Sequence, residues 1–196
     1  MGSIRQPSNA LARLRCLRWW PWLIAPAAIA LLVTVGSQIP ASGRGDLLLA
    51  DAQSAAEAVA PFLVGAAVIV YGLRAAVTRS PLALILVGLA TSLLCREIHW
   101  EWTHRGIYVL LAATGLWGAI WRRRIAGPLA EEAAHTSWLL ATLWAYALAF
   151  LLYRRAFRFL PGEDRLHNFL EEGVETVAHL MLIVTSLVGR WRPERD

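Results

Sequence analysis

Lysine is absent from this sequence, cysteine occurs only twice, and charged residues make up only 17% of the chain. Because Cys16 and Cys95 are the two cysteines, a disulfide framework is excluded. A soluble domain carries about 25% charged residues, so the shortage of charge argues against an ordinary soluble fold. All 19 basic residues are arginine, and this bias, together with abundant alanine, leucine and tryptophan, favours a GC-rich bacterial genome.

Apolar residues take the place of the missing charge, with 57% of the chain hydrophobic and a mean hydropathy of +0.48. They form long uncharged runs separated by short charged segments, the pattern of a polytopic membrane protein. The net charge of +5 does not indicate a nucleic-acid partner, because the arginines cluster at the ends of apolar runs, as membrane topology requires. The sequence therefore predicts an all-α integral membrane protein, one transmembrane domain over residues 1–196, surrounded by membrane lipid.

Six apolar runs approach the length of about 20 residues that a spanning helix needs. The predicted spans are residues 19–39, 56–73, 81–96, 107–121, 137–153 and 169–189. The Gly- and Ser-containing segment 40–55 reads as a linker, and residues 153–167 read as a short amphipathic interfacial segment followed by a turn. The basic start of the first run also fits a signal peptide, but its Trp cluster favours a spanning helix with an interfacial aromatic belt.

The arginines predict the orientation of these spans. With the N-terminus in the cytoplasm, twelve arginines fall in cytoplasmic segments and seven on the other side. Cytoplasmic segments of membrane proteins carry an excess of Arg and Lys. We therefore expect both termini inside, in a multi-pass protein of the bacterial inner membrane.

The densest group of ionisable residues is the segment 96–105, which joins the third and fourth spans. Such groups are costly inside a bilayer and commonly mark a functional site. On a helix, Glu97, Glu101 and His104 share one face because they follow each other at four and three residues. The predicted topology places this face on the non-cytoplasmic side.

A second polar group begins the sixth span. His167, Glu171, Glu175 and His179 recur every four residues and form one stripe along a helix. Since the third span ends, and the fourth and sixth begin, on the non-cytoplasmic side, these residues and those of segment 96–105 are expected to converge. Asp51 and Glu57, near the start of the second span, are expected to join them.

Mixed histidine and carboxylate ligands suit zinc or another divalent metal. Such a metal can activate water while a remaining glutamate transfers the proton, so the leading hypothesis is a metal-assisted hydrolase of a lipid or lipid-linked substrate. The hypothesis assigns metal binding to His104, Glu171 and His179, and catalytic roles to Glu97, Glu101 and Glu175.

The sequence contains no His-Glu-x-x-His motif, so two further hypotheses stay open. One is a small proton- or ion-coupled transporter subunit with Glu175 and His179 as its relay. The other is a non-catalytic accessory protein in which Arg96, Arg105 and Arg154 neutralise the acids. A homo-oligomer or a membrane-protein partner is compatible with each hypothesis.

Overall fold

The computed structural model describes residues 19–98, 103–159 and 162–188, with the side chains of 103–106, 128, 131 and 163 outside the description. The described residues contain no strand, and after a 3₁₀ turn at Trp20–Leu23 they form seven α-helices. The helices are α1 Ile24–Gln38, α2 Gly43–Thr78, α3 Pro81–Glu97, α4 Thr103–Ile120, α5 Arg122–Glu131, α6 Ala133–Tyr153 and α7 Glu163–Leu187. The prediction of an all-α protein is confirmed for this part of the chain.

Within the described residues, three helical segments are long and apolar enough to cross a membrane. They are Trp20–Gln38, Gly43–Thr78 and Ala133–Tyr153. The other predicted spans coincide with shorter or more polar helices. Helix α3 has 17 residues and ends on Arg96 and Glu97, the apolar part of α4 is Ile107–Ile120, and α7 begins with a charged turn.

The predicted linker at residues 40–55 is wrong for most of its length. Helix α2 runs for 36 residues without a break, a length of about 54 Å at 1.5 Å per residue. It contains Pro61 in its interior. The Ser42 side chain caps its start by accepting a hydrogen bond from the Gly45 N–H at 3.4 Å. The alanine-rich sequence that follows favours helix strongly enough to outweigh the glycines and serines of the first turns.

The predicted interfacial segment at residues 153–167 contains turns followed by the start of α7, instead of one amphipathic piece and a turn. Residues 154–159 form turns, while α7 already begins at Glu163, six residues before the predicted start of the sixth span. Gly162 precedes α7 in the left-handed conformation, with φ of 73°, which glycine adopts without a steric penalty. Helix α5 lies in a segment for which the sequence predicted no element.

Arg165 fixes the start of α7 against the connection between α1 and α2. Its Nε donates to Asp46 Oδ1 at 2.8 Å, and its two terminal nitrogens donate to the carbonyl oxygens of Ile39 at 2.8 Å and Pro40 at 2.7 Å. One guanidinium thus satisfies two backbone carbonyls that follow the end of α1 and pairs with an acid in the first turn of α2.

Helix α7 is the central helix of the bundle and packs against α1, α2 and α6. One face buries Leu166, Leu170, Val174 and Ala178 in the apolar core. A Cβ added at Gly173 would lie 2.6 Å from a methyl group of Leu32 on α1. Glycine at this position therefore permits the close approach of α1 and α7. Helix α3 packs on α2. The end of α3 contacts the polar stripe of α7 through Arg96 and Glu175.

Candidate metal centre

Three of the predicted site residues meet where the end of α3 approaches the middle of α7. Glu97 is the last residue of α3, while Glu175 and His179 are one turn apart on the same face of α7. One potential ligand atom from each of the three side chains lies within 4.8 Å of the other two. We call this group the Glu97–Glu175–His179 cluster.

His179 is fully buried, and its two ring nitrogens have different surroundings. Nδ1 lies 2.8 Å from the hydroxyl of Tyr146 on α6. Nε2 has no hydrogen-bond partner among the described residues and lies 3.9 Å from Glu97 Oε1, too far for a hydrogen bond. A buried polar atom left without a partner costs about 1–3 kcal/mol. The Nε2 atom of His179 is therefore a candidate ligand-binding atom.

Arg96 binds the carboxylate of Glu175 through both terminal nitrogens, at 2.6 and 3.1 Å. The two partners differ in exposure, since the Arg96 side chain is 53% exposed and that of Glu175 only 8%. The Glu97 side chain is 12% exposed. The cluster is therefore closed at His179 and open toward Arg96.

The distances in the cluster are compatible with a divalent metal after small side-chain movements. Zinc bonds of about 2.1 Å to nitrogen and oxygen place two ligand atoms about 3.4 Å apart in a tetrahedron and at most about 4.2 Å apart. The 3.9 Å between His179 Nε2 and Glu97 Oε1 falls between these values. An ionised carboxylate offers about four lone-pair directions, so Glu175 can keep Arg96 while also binding a metal.

Glu171 lies on the same stripe of α7, one turn before Glu175 and therefore about 6 Å along the helix. One of its carboxylate oxygens is 3.7 Å from His167 Nε2, and both side chains are largely buried. Glu171 is thus next to the cluster without being part of the group of three. The sequence-based assignment of Glu171 as a metal ligand stays a prediction.

The remaining predicted site residues are not brought to the cluster by the described structure. Glu101 lies outside the described residues, and so does the side chain of His104 in the first turn of α4. Asp51 and Glu57 are exposed on α2. The side-chain amide of Gln53, one turn earlier on the same helix, donates a hydrogen bond to Glu57 Oε1 at 2.8 Å.

Sequence reasoning missed Tyr146, which orients His179. From residue 137 to 153, helix α6 contains no Asp, Glu, His, Lys or Arg, and the sequence predicted only a membrane span there. The available signal was the position of this tyrosine near the middle of an apolar run, because Tyr in a spanning helix is normally concentrated at the membrane interfaces.

A second polar cluster lies at the opposite end of the bundle. Arg74 of α2 is 5% exposed, and one of its terminal nitrogens lies 3.2 Å from His135 Nε2. Glu132 is 4.0 Å from both Arg74 and His135. Arg74 is one of the twelve arginines that the predicted topology assigns to cytoplasmic segments, but the structure turns its guanidinium inward between α2 and α6.

Comparison of the chain with protein-family models, with curated proteins and with solved structures gives no match.

Proposed function

We propose that this protein is a multi-pass inner-membrane hydrolase in which Glu97, Glu175 and His179 hold zinc or another divalent metal. The observation that carries the proposal is the buried Nε2 of His179, which is directed toward two carboxylates and lacks a hydrogen-bond partner among the described residues. Metal-bound histidines almost always have their other ring nitrogen hydrogen-bonded to an orienting group. The Tyr146 hydroxyl at Nδ1 supplies such a group.

The chemistry of the three converging side chains also supports the proposal. Glu97 and Glu175 each offer a carboxylate oxygen and His179 an imidazole nitrogen, and these potential ligand atoms lie within 4.8 Å of one another. Carboxylate oxygen and imidazole nitrogen are ligands that zinc binds in proteins.

A divalent metal held by Glu97, Glu175 and His179 would act as a Lewis acid, activating water as the nucleophile and polarising the carbonyl oxygen of an ester. Glu171, one turn outside the cluster, accepts the proton from the water and returns it to the leaving alcohol. This arrangement changes three sequence-based roles. Glu97 and Glu175 become ligands instead of catalytic groups, and Glu171 becomes the proton-transfer group instead of a ligand.

A lipid or lipid-linked ester is the proposed substrate class. The half-exposed guanidinium of Arg96 lies at the open side of the cluster, at the end of α3, where a headgroup can approach while its chains stay among the helices.

In the proposed topology α3, α4 and α7 are the remaining three spans, both termini are cytoplasmic, and the cluster opens on the non-cytoplasmic side. The distribution of twelve arginines against seven supports this orientation.

Glu171→Gln tests the proposed reaction. We expect it to keep zinc but to lower lipid hydrolysis about 10²- to 10⁴-fold, the usual contribution of a positioned acid or base. The purified protein is incubated with vesicles of bacterial lipid extract in zinc-containing buffer, and released products are quantified by mass spectrometry.

Glu172→Gln is the matched control, because it makes the same carboxyl-to-amide change at the adjacent position, off the polar stripe. The control should hydrolyse lipid at close to the wild-type rate. Absence of any released product from zinc-loaded wild-type protein would contradict the hydrolase, and equal losses in both variants would contradict the role of Glu171.

A second candidate function, proton-coupled transport, is favoured by polar groups that continue from the cluster toward the opposite end. His135, Thr142 and Tyr146 share one face of α6 over about 16 Å. The Thr142 hydroxyl lies 2.8 Å from that of Thr185 on α7. Tyr71 of α2 is fully buried, and its hydroxyl has no hydrogen-bond partner among the described residues.

Proton flux into vesicles tests this candidate. If the buried hydroxyls carry protons, proteoliposomes containing a pH-sensitive dye will show a flux that Tyr71→Phe abolishes. Tyr108→Phe is the control, because it removes a hydroxyl from a side chain that is 75% exposed on α4. Flux that is absent in the wild type, or that survives Tyr71→Phe, would eliminate this candidate.

A further inference from the structure

Helix α5 begins with three consecutive arginines. Arg122, Arg123 and Arg124 are all exposed, and the structure shows none of them in an ion pair with a described residue. On the other side of the helix, Ile125 and Leu129 pack against the apolar core. The apolar side of α5 is therefore held against the bundle while its basic side faces outward.

Two tryptophans adjoin these arginines. Trp117 and Trp121 stack with their ring centroids 5.8 Å apart, and the guanidinium of Arg124 lies 4.7 Å from the centre of the Trp121 ring. Ile120, in the same stretch of α4, is 68% exposed. Tryptophan concentrates at the level of lipid headgroups, so this arrangement places cationic groups beside side chains suited to hydrocarbon.

We propose that these tryptophans and arginines form a binding surface for the phosphate group of an anionic phospholipid. We call it the α5 basic surface, consisting of Trp117, Trp121, Arg122, Arg123 and Arg124. The three positive charges complement a negative headgroup, and the tryptophans and Ile120 provide contacts for the adjoining chains, which a free phosphate ion lacks. Arginine also fits phosphate oxygens by donating two parallel hydrogen bonds. This proposal is independent of the metal site.

The test compares two triple variants of the detergent-purified full chain. One carries R122Q, R123Q and R124Q on α5, and the other carries R44Q, R154Q and R158Q, which removes three exposed arginines from the opposite end of the bundle. Binding of phosphatidylglycerol and of phosphatidylcholine with the same acyl chains is measured by native mass spectrometry. A parallel series contains inorganic phosphate as competitor.

The wild type and the opposite-end variant are expected to bind phosphatidylglycerol more tightly than phosphatidylcholine. The α5 variant should lose about 100-fold in phosphatidylglycerol affinity at low salt, because each basic residue near an anionic surface contributes about fivefold. Equal losses in both variants, or equal binding of the two lipids by the wild type, would overturn the proposal. Displacement of the lipid by equimolar inorganic phosphate would show a free-anion site and would also overturn it.

Discussion

His179→Gln is expected to abolish stoichiometric zinc binding, because His179 supplies the one nitrogen ligand of the Glu97–Glu175–His179 cluster. Tyr146→Phe should have a smaller effect. It leaves all three ligands in place but removes the hydroxyl 2.8 Å from Nδ1, and loss of such an orienting partner costs about 10- to 100-fold in metal affinity. Competition with a zinc-chelating dye measures both affinities on detergent-purified protein.

His135→Gln is the matched control for this experiment. His135 is also buried, at 2% exposure, but lies at the opposite end of the bundle beside Arg74. The control should bind zinc with the wild-type affinity. Retention of wild-type zinc affinity by His179→Gln, with the protein folded, would show that the ion is held elsewhere.

Removing Arg96 is expected to destabilise the metal-free protein more than removing its partner Glu175. Arg96→Gln leaves a carboxylate with a side-chain exposure of only 8% without its main cation, and breaking a buried ion pair from one side costs about 3–5 kcal/mol. Glu175→Gln leaves a guanidinium that is 53% exposed and can be hydrated. The loss should then be at most about 1 kcal/mol, as for exposed pairs.

Zinc should reverse the effect of Arg96→Gln, because the metal replaces the positive charge lost beside Glu175. Unfolding in detergent micelles, measured with chelator and with saturating zinc, separates the two states. Stabilisation of Arg96→Gln by zinc is expected, whereas Glu175→Gln should gain much less. If zinc stabilises neither variant, the cluster is a structural ion-pair network in which Arg96 and Glu175 lock α3 to α7.

The helical class of the protein was readable from the sequence because long apolar runs and sparse charge restrict a chain to few folds. Helix ends were less accurate. Helix α2 begins at Gly43 rather than near residue 56 because local helix propensity continues beyond the apolar run. Hydropathy detects the part of a helix that lipid can surround, and it is insensitive to polar turns at either end, as at the start of α7.

The candidate site was only partly predictable. Helical periodicity placed Glu175 and His179 on one face of a helix, and topology placed Glu97 at the same end of the bundle. The sequence predicted Arg96 as a cation that neutralises acids, but its contact with Glu175 joins residues 79 positions apart, and local patterns do not reveal which acid it binds. The same limit applies to Tyr146, and to Arg74, whose basic side chain carries the same signal whether it faces solvent or a buried histidine.

The most direct test of the metal centre is the zinc X-ray absorption spectrum of the reconstituted full chain. The account predicts stoichiometric zinc with one imidazole and otherwise oxygen ligands, at about 2.0–2.2 Å. The imidazole signal should disappear in His179→Gln and persist in His135→Gln. A folded wild-type protein that retains no zinc after reconstitution, or zinc whose spectrum is unchanged by His179→Gln, would contradict the metal site.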